Sequence, residues 1–232
     1  PNGSNQQAAS LAPHTYFRMR VYHDGSVPPD VLAVLTALSV ELIDVSASSL
    51  FTSMGQLNNP RAWRFAAASD PTVARYLVRD VDSRIGSREA AAIEAWVRKG
   101  KPFHVMRDHP SHAIYAAAGY TMQAGMWGGT ASAAPEMTEL MANTSDSSDD
   151  YYADQNFLAK KVWPLARERG VEQHDSFSCG LFPGAIPFPV AERLTEGDFV
   201  GAVVECDGKT RADDNAALSA APPPSEECTD QK

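Results

Sequence analysis

Cysteine is scarce: three residues in 232, Cys179, Cys206 and Cys228, an odd number without metal-ligand spacing. That excludes a disulfide framework as the organising device and fits a reducing compartment, which favours a cytoplasmic location. No apolar run approaches the roughly 20 residues a membrane span needs, so no transmembrane segment is expected. The sequence begins with Pro1 rather than Met and contains no charged-then-apolar leader, so it reads as a fragment or a processed product. A basic stripe is also absent. The net charge is −9, and residues 205–232 hold seven acidic side chains against three basic ones, so nucleic acid is excluded as a partner. There is no Gly-x-Ser-x-Gly elbow and no Gly-x-x-x-x-Gly-Lys phosphate loop, which removes serine-hydrolase and P-loop chemistry.

What remains is a soluble composition, 44% hydrophobic and 21% charged, long enough for one α/β domain with extensions. Residues 1–13 and 206–232 are polar, rich in Ala, Pro or Ser, and without hydrophobic period, which predicts disordered or loosely attached tails around a domain over 14–205. Within it, strands are predicted over Tyr16–Tyr22, Val40–Val45, Val73–Val78, Pro102–Met106 and Val171–Phe177, with another strand and turn inside Gly119–Gly129. Helices are predicted after Pro28-Pro29 and over Ala62–Ala68, Arg88–Lys99, Pro135–Ala142 and Asp154–Arg169. Ser87 is the expected cap of the third, and Pro164 is expected to bend or divide the last. Thr144–Asp150 reads as a polar loop. Alternating strands and helices predict a mainly parallel mixed sheet covered on both faces.

Two carboxylates, Asp80 and Asp82, follow directly after the apolar Val73–Val78 strand. The carboxyl ends of parallel strands are where ligands collect in open α/β sheets. Carboxylates one residue apart can share a divalent cation and leave positions open for a diphosphate, although Asp-x-Asp is also ordinary turn chemistry. Arg79 and Arg84 bracket the pair and suit either phosphate or salt bridges. Asp154-Gln155 opens a helix, where Asp154 reads either as a cap or as a group facing a substrate. Arg107–His112 packs charge and imidazole into six residues and reads as a loop lining a pocket, with Arg107 available to phosphate, or as a surface turn stiffened by Pro110. Arg64 and Arg88 carry the same ambiguity between phosphate and ion pairing. Trp127, between glycines, is the tryptophan expected against a ligand ring.

The runs Trp63-Arg64-Phe65, Tyr76-Leu77-Val78-Arg79-Asp80-Val81-Asp82-Ser83-Arg84, Phe103-His104-Val105-Met106-Arg107-Asp108-His109-Pro110, Gly125–Gly129, Asp154-Gln155-Asn156-Phe157-Leu158 and His174-Asp175-Ser176 together resemble glycosyltransferase-like domains of the GT-A type found in algae, bacteria and algal viruses. The resemblance covers about residues 16–205. The layout is also similar to glycogenin and the lipopolysaccharide galactosyltransferases. It implies a GT-A-like α/β fold and transfer of a sugar from a nucleotide-diphosphate donor to a glycan or other hydroxyl acceptor, with retention favoured. It further implies Mn²⁺ or Mg²⁺ held by Asp80, Asp82 and His174. Asp154 and Gln155 become the catalytic candidates, and Arg64, Arg79, Arg84, Arg107 and Trp127 the donor-binding ones. Against this pattern, the first strand of a GT-A domain is not evident ahead of Tyr16. That leaves an inactive GT-A-like binding or scaffold subunit as the alternative. A metal-dependent phosphohydrolase is a third reading, but no Asp stands convincingly as its nucleophile.

Overall fold

The computed structural model describes residues 17–53, 59–143, 150–190, 193 and 197–221. The tail expected over 1–13, the start of the first strand and nearly all of the polar loop from Thr144 lie outside these residues.

Strand β1 (Arg20–His23) is followed by helix α1 (Pro29–Ala37) and strand β2 (Glu41–Asp44), and β1 and β2 pair in parallel as a separate two-stranded sheet. Pro29 at the first helical position is pre-set for α1. Helix α2 (Ser49–Ser53) and a 3-10 segment, Pro60–Ser69, lead into β3 (Arg75–Arg79). Then come α3 (Ser87–Lys99), β4 (Phe103–Arg107), α4 (Pro110–Ala117), β5 (Met126–Thr130) and α5 (Met137–Ala142). Helix α6 (Ala153–Phe157) runs through a π-helical turn, Leu158–Val162, into α7 (Trp163–Arg169), and β6 (Val171–Asp175), β7 (Ala185–Ile186) and α8 (Ala212–Ala220) complete the order.

The five-stranded sheet has the order β3-β5-β4-β6-β7. Strand β5 is antiparallel to β3 and β4, while β4, β6 and β7 are mutually parallel, so four strands run one way and β5 runs against them. The fold is therefore mixed α/β with a mostly parallel sheet. Strand period 2 sorts the side chains. Phe103 and Val105 of β4 join Tyr76, Val78, Trp127, Phe65, Met137, Phe157 and Leu158 in the main core, packed by the 3-10 segment and α5–α7. Met106 and His104 point to the opposite face, where Met106 packs with Ala92 of α3 and His104 stacks on Trp96 of α3 at 5.2 Å. Helices thus cover both faces. Gly128 lets β5 approach β3, because a Cβ there would stand 2.6 Å from the Tyr76 carbonyl oxygen.

Several local expectations change. Gly86, not Ser87, is the N-cap of α3, while Gly100 ends that helix in the left-handed region (φ 68°) as its position suggested. The Arg107–His112 segment is not one loop. Pro110 occupies the first turn of α4, and the His109 side chain caps it by accepting from the Ser111 N–H at 3.2 Å. The long helix is divided as its Pro164 suggested: that residue lacks the N–H that would bond the Lys160 carbonyl and sits in the first turn of α7, just after the π-turn Leu158–Val162. The acidic segment from residue 206, expected to be loose, carries α8, whose residues are all at least partly exposed. Among the described residues no helix is long and apolar enough to cross a membrane.

Candidate functional site

A cleft of about 710 Å³ opens at the carboxyl end of β3. Arg79 ends that strand, so Asp80, Val81 and Asp82 leave it as part of the cleft wall. The 3-10 segment adds Arg61, Trp63 and Arg64 to the lining, and β1 adds Arg20, Val21 and Tyr22. The start of α6 contributes Asp154 and Gln155, and α4 with its cap contributes His109, Ser111, His112 and Tyr115. Residues far apart in sequence therefore meet because three strand and helix ends converge there.

Arg64 organises the floor. One of its terminal nitrogens, Nη1, meets Asp80 Oδ1, and the other, Nη2, donates to Asp154 Oδ2 at 2.7 Å. The Asp80 side chain is 46% exposed and Asp154 only 7%, so a single guanidinium joins an open carboxylate to a buried one. Asp154 lies within the first turn of α6, whose N-cap is Tyr152. It therefore does not cap the helix; its Oδ1 accepts from the Gln155 N–H at 2.7 Å. In the amide orientation its neighbours dictate, Gln155 donates to the Met122 carbonyl and accepts from the Ala124 N–H, both at 3.0 Å. That holds the backbone beside Gly125, and Gly125 in turn leaves room for Asp80: a Cβ there would fall 1.9 Å from Asp80 Oδ2.

Arg79 donates from Nη1 to the Gly125 carbonyl at 2.7 Å. Its Nε stands 3.0 Å from Glu89 Oε1, close enough for an ion pair but not aligned for a hydrogen bond. Glu89 is almost completely buried, and desolvation outweighs the attraction of Arg79 and pushes its carboxyl up to about 7. Arg64 Nε and Arg79 Nη2 have no acceptor among the described residues. Two residues lining the cleft therefore keep guanidinium nitrogens without an acceptor, and these nitrogens are buried beneath its surface.

The segment after residue 197 folds back over one side. Ser83 forms an antiparallel bridge with Val203, and the Val204 N–H donates to the Asp82 carbonyl at 2.8 Å. Since His109 Nδ1 accepts from Ser111, its Nε2 carries the proton and donates to the Asp214 carbonyl at 3.0 Å. Arg211 and Asp214 consequently line the cleft.

Four sequence candidates lie elsewhere. Arg107 is buried away from the cleft: Nε contacts Asp175 at 2.5 Å, and the other nitrogens reach the Thr121 carbonyl at 3.0 Å and Gln173 at 2.8 Å, so all three nitrogens are engaged inside the protein. Trp127 is fully buried between Phe65 and Tyr76, in the core rather than against a ligand. Arg84 is exposed beside the Gly208 turn and does not line the cleft. His174 sits within β6, fully buried, with Nδ1 2.9 Å from Nε2 of His104. Desolvation holds His174 down to about 3 and His104 well below the usual imidazole value. His174 is thus no partner for Asp80 and Asp82. Among the described residues no three His, Cys, Asp or Glu side chains are grouped to hold a metal ion, and the three-ligand set does not fit. Arg88 resolves as structural, binding Asp108 at 2.9 Å together with Ser176.

No family model, curated protein or solved structure matches the chain. The site is therefore read from its own chemistry. Sequence reasoning missed Arg20, Arg61, Arg211 and Asp214 on the cleft, and the tyrosines Tyr115, Tyr120, Tyr151 and Tyr152. The adjacent pair Tyr151-Tyr152, placed just before Asp154, was the available signal for the last group.

Proposed function

We propose that the cleft binds a nucleoside-diphosphate sugar and transfers its sugar to a hydroxyl acceptor, in a GT-A-like domain. One observation carries this reading: Arg64, Arg79, Asp80, Asp82, Asp154 and Gln155, drawn from separate segments, line a single cleft at a strand's carboxyl end. Sugar transfer breaks the bond between the anomeric carbon and the diphosphate oxygen, and negative charge collects on the departing diphosphate. The guanidiniums of Arg64 and Arg79, which line the cleft, supply positive charge to receive it. Asp154, buried beneath the floor, suits the cationic sugar centre that develops as that bond stretches. Gln155 fixes the adjacent backbone and so the geometry of approach.

The expected Mn²⁺ or Mg²⁺ is left with Asp80 and Asp82 as donors, one of which already faces Arg64, so no step is assigned to it here. The alternative, a binding or scaffold subunit without turnover, is favoured by that same contact, because Arg64 occupies both Asp80 and Asp154.

Calorimetric titration of the folded chain with UDP, GDP and ADP, each with and without Mn²⁺, tests the proposal. Binding of one of them that is lost in Asp80→Asn supports it, and the Mn²⁺ arm tells whether a metal takes part. A folded chain that binds none of the three contradicts it.

A further inference from the structure

The rim of the cleft beyond Asp154 carries tyrosines that the donor reading does not use. Tyr151 is 66% exposed, and Tyr152 and Tyr115 are each 45% exposed. Tyr152 stacks on Tyr120 with ring centres 6.2 Å apart and meets Tyr151 nearly edge-on at 5.1 Å and 84°. The Arg61 guanidinium lies 4.7 Å over the Tyr151 ring. Large aromatic surface left in water at a cleft mouth is unfavourable unless something covers it.

The rings are also held in place. The Asp150 carboxylate accepts from the Tyr152 N–H at 2.9 Å and from the Asn156 amide at 3.2 Å, while the Asp150 carbonyl accepts from the Asn59 amide at 3.1 Å. Three hydrogen bonds therefore pin the turn that carries the two rings. The exposed part of a tyrosine ring can take the C–H side of a pyranose, and its phenol can bond the sugar's hydroxyls.

Position assigns the role. Arg64 pairs with Asp154, and Tyr151 and Tyr152 line the same cleft in the turn just before Asp154, so a group packed on these rings lies beside the proposed sugar centre. We infer that this rim is the acceptor subsite and that the acceptor is a saccharide, whose pyranose ring packs on the exposed tyrosine surface. The inference rests on the transferase reading of the cleft.

The test uses the full chain without donor. Tyrosine-ring NMR signals are followed while maltotriose, cellotriose or chitotriose is added, with uridine as the flat-ring probe. One of the trisaccharides is expected to shift Tyr120 and Tyr152. Tyr151→Ala/Tyr152→Ala should weaken that binding about tenfold or more, and Tyr151→Ser, at the most exposed ring, should weaken it without touching the Tyr120 stack. Arg84→Ala, exposed and outside the cleft, should leave it unchanged. The inference is overturned if no trisaccharide shifts these rings, or if uridine shifts them and displaces the sugar. Nucleotide binding without saccharide binding sinks this inference alone; saccharide binding without nucleotide binding sinks the transferase reading instead.

Discussion

Arg64 Nη2 donates to Asp154 Oδ2 at 2.7 Å, and this contact fixes a mostly buried carboxylate to the edge of the cleft. Replacing Arg64 with Met strands Asp154 without its cation. The cost expected is about 2 kcal/mol, below the usual 3–5 for a fully buried pair because Arg64 is part-exposed. Nucleotide binding should fall with it. Arg64→Met/Asp154→Leu should recover most of the stability and none of the binding, which chemical denaturation and calorimetry measure separately.

Gly125 supplies a more local test. An added Cβ would occupy the place of the Asp80 carboxylate, and the clash falls on the end of a side chain rather than on backbone. Gly125→Ala should therefore cost less than about 1 kcal/mol of stability while turning Asp80 out of its contact with Arg64. Nucleotide affinity should drop about tenfold or more, as in Asp80→Asn. Equal affinity in wild type and Gly125→Ala would remove Asp80 from the binding account.

Stability against pH has two opposed contributions. Glu89 is raised to about 7 from 4.5, so the folded chain keeps a proton that the unfolded chain has already lost. Its contribution is therefore fully present below about 4.5 and disappears as pH rises to about 7, by up to about 3 kcal/mol. Glu89→Gln should abolish that loss. His112 and His174 are both depressed to about 3 by burial. Their stabilisation is present above about 6.5 and is lost as pH falls toward 3, by up to about 1.4 kcal/mol per unit for each. Urea titrations of Glu89→Gln at pH 7.5 and 5.5 should show the histidine slope alone, with the protein weaker at 5.5.

How far the sequence exposed this arrangement depended on the range of the forces involved. Hydrophobic period and caps are local, so β3, α3 with its Gly100 stop, β4 and β6 were legible from their own residues. The position of Asp80 and Asp82 after a strand needed only the strand's end. Arg107 was misplaced because its partners Asp175 and Gln173 lie on β6, and only the pairing of β4 with β6 brings them together. His174 and Trp127 failed for a similar reason: a residue in a central strand is covered by elements its neighbours in sequence do not announce. Helix α8 has no buried residue, and its composition gave no apolar stripe to find.

The most direct measurement follows arginine Nε–H signals by NMR as UDP-glucose, GDP-mannose or ADP-glucose is added. Arg64 and Arg79, whose side chains line the cleft, should shift with one of these donors, and Arg107, buried inside the sheet away from it, should not. No shift at Arg64 and Arg79 with any of the three, in a chain that remains folded, would contradict the assignment of this cleft to a sugar nucleotide.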